Sequence, residues 1–111
     1  MTGTFELKKA AHGQFYFNLK ATDGHTILTS EFYKAKVGAH TGIESVKQSA
    51  LEDARYERKI SKANQPFFVL KARNGEPIGK SEMYASDEAM EQGISSVKMH
   101  APDALVIDRA P

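Results

Sequence analysis

The sequence predicts an α+β domain in which one supersecondary unit is written twice, and three observations predict it. Sliding the 111-residue chain by 51 positions aligns residues 14–58 on residues 65–109 without a gap, with 17 identities over 45 positions. Each copy carries period-two alternation around an Asp-Gly or Asn-Gly pair, the signature of a hairpin. Each then carries an apolar stripe at helical spacing. A repeat of this period is a supersecondary unit that shares its core with its neighbour.

The elements follow in order. Phe5-Glu6-Leu7-Lys8 aligns at the same offset with Tyr56-Glu57-Arg58-Lys59, and Ile107-Asp108-Arg109 continues the register. This short strand-like segment therefore occurs three times, and its middle copy both closes the first unit and opens the second. The chain reads as a single domain, 1–111, with internal repeats 4–60 and 55–111 sharing that middle strand. "QFYFNLKAT" alternates Phe15, Phe17, Leu19 and Ala21 against Tyr16, Asn18, Lys20 and Thr22, a half-buried strand. Asp23-Gly24 and Asn74-Gly75 mark the turns, where a tight bend needs positive φ. A two-residue turn places Lys20 and Glu31 on one face, and a three-residue turn with a bulge separates them. Pro66 stands in the slot of Phe15 and lacks a donor, which puts it at a strand start or an edge.

The helices come next. Ala39, Ile43, Val46 and Ala50 share a face, as do Met90, Ile94, Val97 and Ala101. Ser86 before Asp87 and Glu88 is a good helix start, whereas the equivalent Ala35 cannot cap, so the first helix is expected to fray more. Gly42 and Gly93 lie inside these helices at a cost of about 1 kcal/mol each relative to alanine. Their equivalence points to close packing on a bulky group, with Tyr33, Tyr84 and the strand aromatics as candidates.

Composition narrows the function. With no cysteine, the chain has no disulfide, thiolate metal site or thiol nucleophile, which fits a cytoplasmic protein. The start "MTGTFELKK" lacks a signal-peptide pattern, and no apolar run approaches a membrane span. A formal charge of +1 and a pI near 8.0 give little long-range field, which leans against a dedicated nucleic-acid binder. His12, His25, His40 and His100 show no metal-ligand spacing. The adjacent Ser30-Glu31 and Ser81-Glu82 pairs point to opposite faces of a strand, so neither is a nucleophile with its base. No cofactor motif is present, and no enzyme is expected.

The ordered elements Leu-Lys-Ala, Asn/Asp-Gly, Ser-Glu-x-Tyr and Gly-Ile-x-Ser-Val, arriving twice in "FYFNLKATDGHTILTSEFY…GIESVK" and "FFVLKARNGEPIGKSEMY…GISSVK", closely resemble the YegP-like family of small bacterial proteins of unknown function. The resemblance covers essentially the whole chain. It implies two β-β-β-α-β units in one antiparallel sheet, terminal strands exchanged between units, and two helices packed on one face. It also implies a tandem form resembling a fused dimer, hence a monomer with internal pseudo-two-fold symmetry. It brings no catalytic residues.

Helices on one face leave the other free. Tyr16, Asn18, Lys20, Phe67, Val69, Lys71 and Arg73 are the candidate interaction surface, and Lys20, Lys71 and Arg73 are expected to project from strands. The leading expectation is a non-enzymatic module for an unknown protein partner or small ligand. The alternative is weak nucleic-acid binding by aromatic and basic groups on the open sheet face. Lys20/Lys71, Glu31/Glu82 and Lys47/Lys98 are the polar identities between the copies, and surface lysine–glutamate ion pairs are the competing account of them.

Overall fold

A computed structural model describes residues 3–111. Seven strands and two helices follow in the order β1 (Thr4–Lys9), β2 (Phe15–Lys20), β3 (Thr26–Ser30), α1 (Lys36–Ser49), β4 (Tyr56–Ile60), β5 (Pro66–Lys71), β6 (Pro77–Lys80), α2 (Asp87–His100) and β7 (Leu105–Asp108), with a 3-10 turn at Asp53–Arg55. One sheet holds all seven strands in the order β4-β5-β6-β3-β2-β1-β7. The two units meet at β3 and β6, which share only the pairs Thr29↔Lys80 and Ser30↔Gly79.

The third strand copy breaks the equivalence of the units. β1 docks antiparallel on β2 with Phe5 opposite Leu19, and β4 docks antiparallel on β5 with Tyr56 opposite Leu70. Each unit's last strand thus lies with the other unit. However, β1 already fills the place beside β2, so β7 pairs with β1 and runs parallel to it. The sheet is therefore mixed rather than wholly antiparallel.

Both helices cover the same face. Phe5, Leu7, Phe17, Leu19, Phe68 and Leu70 are fully buried beneath them, and Ala39, Ile43, Val46, Met90, Ile94 and Val97 face down from the helices. At Gly42 an added Cβ would collide with Tyr33 Oη and lie 2.8 Å from Tyr33 Cζ; Gly93 stands in the same relation to Tyr84, with Cζ at 2.7 Å. The missing side chain lets each tyrosine slide under its helix, where its ring stacks on Phe17 or Phe68.

The hairpins take the three-residue form. Gly24 N donates to Ala21 O, Ala21 N donates to His25 O, and Gly24 has φ +87. This is a type I turn closed by a left-handed glycine; a separate bulge follows in β3 beside Leu19/Lys20, and the second hairpin repeats it beside Leu70/Lys71. Lys20 stands opposite Thr26, at the end of β3 away from Glu31, and takes Glu6 as its ion-pair partner instead. Farther along, Ser30 Oγ accepts from Phe17 N and donates to Glu31 O, and Ser81 does the same with Phe68 and Glu82. The repeated serines supply the bond that the strand backbone cannot reach.

Pro66 begins β5. In the first unit Phe15 and Tyr33 exchange two backbone bonds; in the second only Tyr84 N to Pro66 O is made, because proline has no donor.

Candidate interaction surface

Register assigns the side chains of the helix-free face. Glu6 opposes Asn18, Asn18 opposes Thr29, Thr29 opposes Lys80, Lys80 opposes Val69, and Val69 opposes Glu57. Partners in a ladder share a face, and alternation extends the set along each strand. Six of the expected seven residues lie here: Tyr16, Asn18, Lys20, Phe67, Val69 and Lys71. Asn18 and Val69 are buried although no helix covers them, and Asn18 Nδ2 donates to Thr29 Oγ1 at 2.9 Å.

Arg73 does not belong to this set. It stands in the β5–β6 turn, not on a strand, and lines a pocket with Ser45, Gln48 and Glu52 on the helix side. The bulged turn starts two residues earlier than straight alternation implies.

The face is electropositive. It presents Lys8, Lys20, Lys59, Lys71, Lys80 and Arg109 against Glu6 and Glu57, although the whole chain carries only +1. Glu6 lies under three of these cations, with Lys20 at 3.4 Å, Arg109 at 3.5 Å and Lys8 at 3.7 Å. Burial pushes its carboxyl up, but the attraction of Lys20, Arg109 and Lys8 outweighs this and holds it below the usual range. In the second unit Glu57 meets Lys71 at 3.1 Å and Lys59 at 3.6 Å, and the Lys71 hydrogen bond leads in lowering its pKa. Lys20 and Lys71 are thus ion-paired, but to Glu6 and Glu57 rather than to Glu31 and Glu82. Lys47 and Lys98 lie on the helix side, over the rings of Phe5 and Tyr56.

Aromatic rings border the cations. Tyr16 meets Phe32 edge-on at 5.7 Å, and Phe32 meets His12 at 4.6 Å. Phe32 is 56% exposed. Sequence reading missed it because the irregularity opposite Tyr16 decides its face. Lys8, Lys59 and Arg109 were legible in principle, since Phe5 and Leu7 fix the inward residues of that strand and so its outward ones.

Among the described residues no group of three or more histidine, aspartate or glutamate side chains is placed to hold a metal ion. His25 contacts Glu82, yet the hydroxyl beside them, Ser81 Oγ, is engaged by Phe68 N and Glu82 O. Among the described residues no helix is long and apolar enough to cross a membrane.

Comparison with known proteins places the chain in a family. A family described as a domain of unknown function, DUF1508, matches residues 10–57 and again residues 61–108. The chain is 52% identical over 108 residues to the UPF0339 protein in the ptx operon 5' region of Stutzerimonas stutzeri, covering 97% of each. It is 44% identical over 106 residues to the UPF0339 protein YegP of Yersinia pestis, covering 96% of this chain and 95% of the relative. The solution NMR structure of yegP from E. coli, a protein of unknown function, superposes with a TM-score of 0.94 at 44% identity, covering 99% of this chain and 95% of that one. That of a UPF0339 protein from Shewanella oneidensis gives 0.93 at 44% identity, covering 99% and 93%.

Proposed function

The chain belongs to the DUF1508 family, whose matching relatives carry no enzymatic name, and from that premise we propose that it is a non-enzymatic interaction module whose helix-free sheet face takes an acidic partner protein. One observation carries this reading: six of the chain's 15 lysines and arginines stand with the carboxylates of Glu6 and Glu57 on the one sheet face that no helix covers, a local excess in a nearly neutral chain. Long alkyl stems on such cations let a face offer apolar surface topped by positive charge. Such a face steers an acidic partner and excludes a basic one.

A second reading, single-stranded nucleic acid, is favoured by the rings of Tyr16, Phe32 and Phe67 beside the lysines, because bases stack on such rings while cations hold phosphates. Fluorescence anisotropy of a labelled poly-glutamate peptide and of labelled single-stranded DNA and RNA, at low and physiological salt, separates the two. Saturable peptide binding lost in Lys20→Glu/Lys71→Glu supports the proposal. Oligonucleotide binding that falls steeply with salt, with no peptide binding, replaces it by the second reading. Titrations unchanged by the double reversal sink both.

A further inference from the structure

The junction of the two units is closed on one side and open on the other. On the closed side Glu31 N donates to Ile78 O at 3.2 Å. The counterpart bond, from Glu82 N to Ile27 O, is not made among the described residues, and a cleft of about 570 Å³ opens there. Its walls carry His25, Thr26, Thr29, Lys80, Ser81 and Glu82.

The two copies differ where this cleft forms. Ile27/Ile78, Ser30/Ser81 and Glu31/Glu82 are identical, while His25/Glu76, Thr26/Pro77, Leu28/Gly79 and Thr29/Lys80 are not. On the closed side the corresponding groups are Glu31 and Glu76, both anionic. On the cleft side Glu82 is turned to the His25 imidazole. Lys80 forms no ion pair among the described residues. Thr29 Oγ1 accepts from Asn18 Nδ2 at 2.9 Å, which leaves its own proton to donate. The Glu82 amide donates to no protein acceptor among the described residues.

We propose that this cleft is an oxyanion site for the phosphate group of a small phosphomonoester. Lys80 supplies positive charge against the Glu82 carboxylate, which is turned aside onto His25, and the Thr26 and Thr29 hydroxyls and the Glu82 amide supply directed donors. The volume exceeds what a bare phosphate fills and lies in the range of small-molecule sites, so the organic portion is held as well. The site shares Lys80 with the positive face, but its other donors, Thr26, Thr29 and the Glu82 amide, belong to the junction alone, so it can fail or stand apart from the acidic-partner reading.

The test is amide chemical-shift titration of the full chain with glycerol 3-phosphate and, separately, with inorganic phosphate, using sodium chloride at matched ionic strength as control. The expected result is saturable shifts confined to residues 24–29 and 80–82, with glycerol 3-phosphate binding more tightly than the free ion. Lys80→Ala weakens binding about tenfold, as loss of a charge-assisted contact should. Lys80→Arg retains binding, and Lys71→Ala leaves it unchanged. Shifts matched by chloride, undiminished in Lys80→Ala, or spread across the face and lost equally in Lys71→Ala overturn the site. Each variant is also run against the poly-glutamate peptide, so that loss of the cleft and loss of the acidic-partner reading are read independently.

Discussion

Leu28 and Gly79 occupy counterpart positions in the two repeats and face each other across their junction, where the leucine fills the space of both. A Cβ on Gly79 would stand 2.9 Å from Leu28 Cγ and 3.2 Å from Thr29 O. Gly79→Ala is therefore expected to destabilise the protein by about 1–3 kcal/mol through overpacking. Combining it with Leu28→Val should recover part of the loss. Urea denaturation of the two single variants and the double variant measures the coupling.

Gly42 poses the same question on a helix. Alanine there gains about 1 kcal/mol in helix propensity, but its Cβ would meet Tyr33 Oη and Cζ. The clash should win, giving a net loss of about 1–3 kcal/mol. Gly42→Ala in a Tyr33→Phe background, which lacks the hydroxyl, should lose less; thermal melts of the four proteins decide it.

Ser81 holds the Phe68 amide at 3.0 Å in the core. Ser81→Ala leaves that donor buried and unpaired, at a cost of about 1–3 kcal/mol. Hydrogen exchange at Phe68 should accelerate by the factor that urea denaturation reports for the whole domain, or by more. Exchange as slow as in the parent would refute the assigned role.

The first helix begins at Ala35, whose backbone is extended (φ -136, ψ 153) but whose side chain caps nothing, whereas Ser86 caps the second by accepting from Ala89 N. Ala35→Ser should raise stability by about 0.5–1 kcal/mol. The gain should also appear as slower amide exchange in the first turn of α1, while Ser86→Ala moves α2 the other way.

Acid should weaken the domain in part through the cluster at Arg58, in addition to the depressed carboxyls of Glu6, Glu57 and Asp108. Hydrogen bonds from Lys98 and Arg58 hold Asp53 below the usual carboxylate range. Those from Arg58 lead in lowering Glu91, against partial burial that pushes it up. A carboxyl depressed in the folded state contributes stability that is complete above its unfolded pKa and is lost as pH falls through the folded one. Urea midpoints should therefore decline as pH drops below about 4.5, the upper end of the ordinary carboxylate range. Arg58→Met should flatten that decline while lowering stability at neutral pH.

Much of this fold was legible because its causes are local. The offset of 51 exposed the duplication, Asp23-Gly24 and Asn74-Gly75 located both turns without deciding their type, and the stripe from Ala39 to Ala50 set the buried side of α1. Equivalent glycines at 42 and 93 implied a bulky neighbour, and Tyr33 and Tyr84 lie against them. What was not legible depended on distant pairings. That Lys20 meets Glu6 rests on which strand lies beside β2. The direction of β7 rests on β1 having filled the place beside β2. Arg73 left the open face because the turn took up residues that alternation assigned to a strand. The positive face emerges only when six strands from both units lie side by side; summed along the sequence, its charge vanishes into +1.

The third strand copy also bears on how such a chain can grow. Every added unit would bring one docking place and one new terminal strand, so a chain of any number of units ends with a single surplus strand. Strand supply alone therefore sets no limit on length. The limit lies at the seam between β3 and β6, which joins two units back to back and offers no second seam to a third.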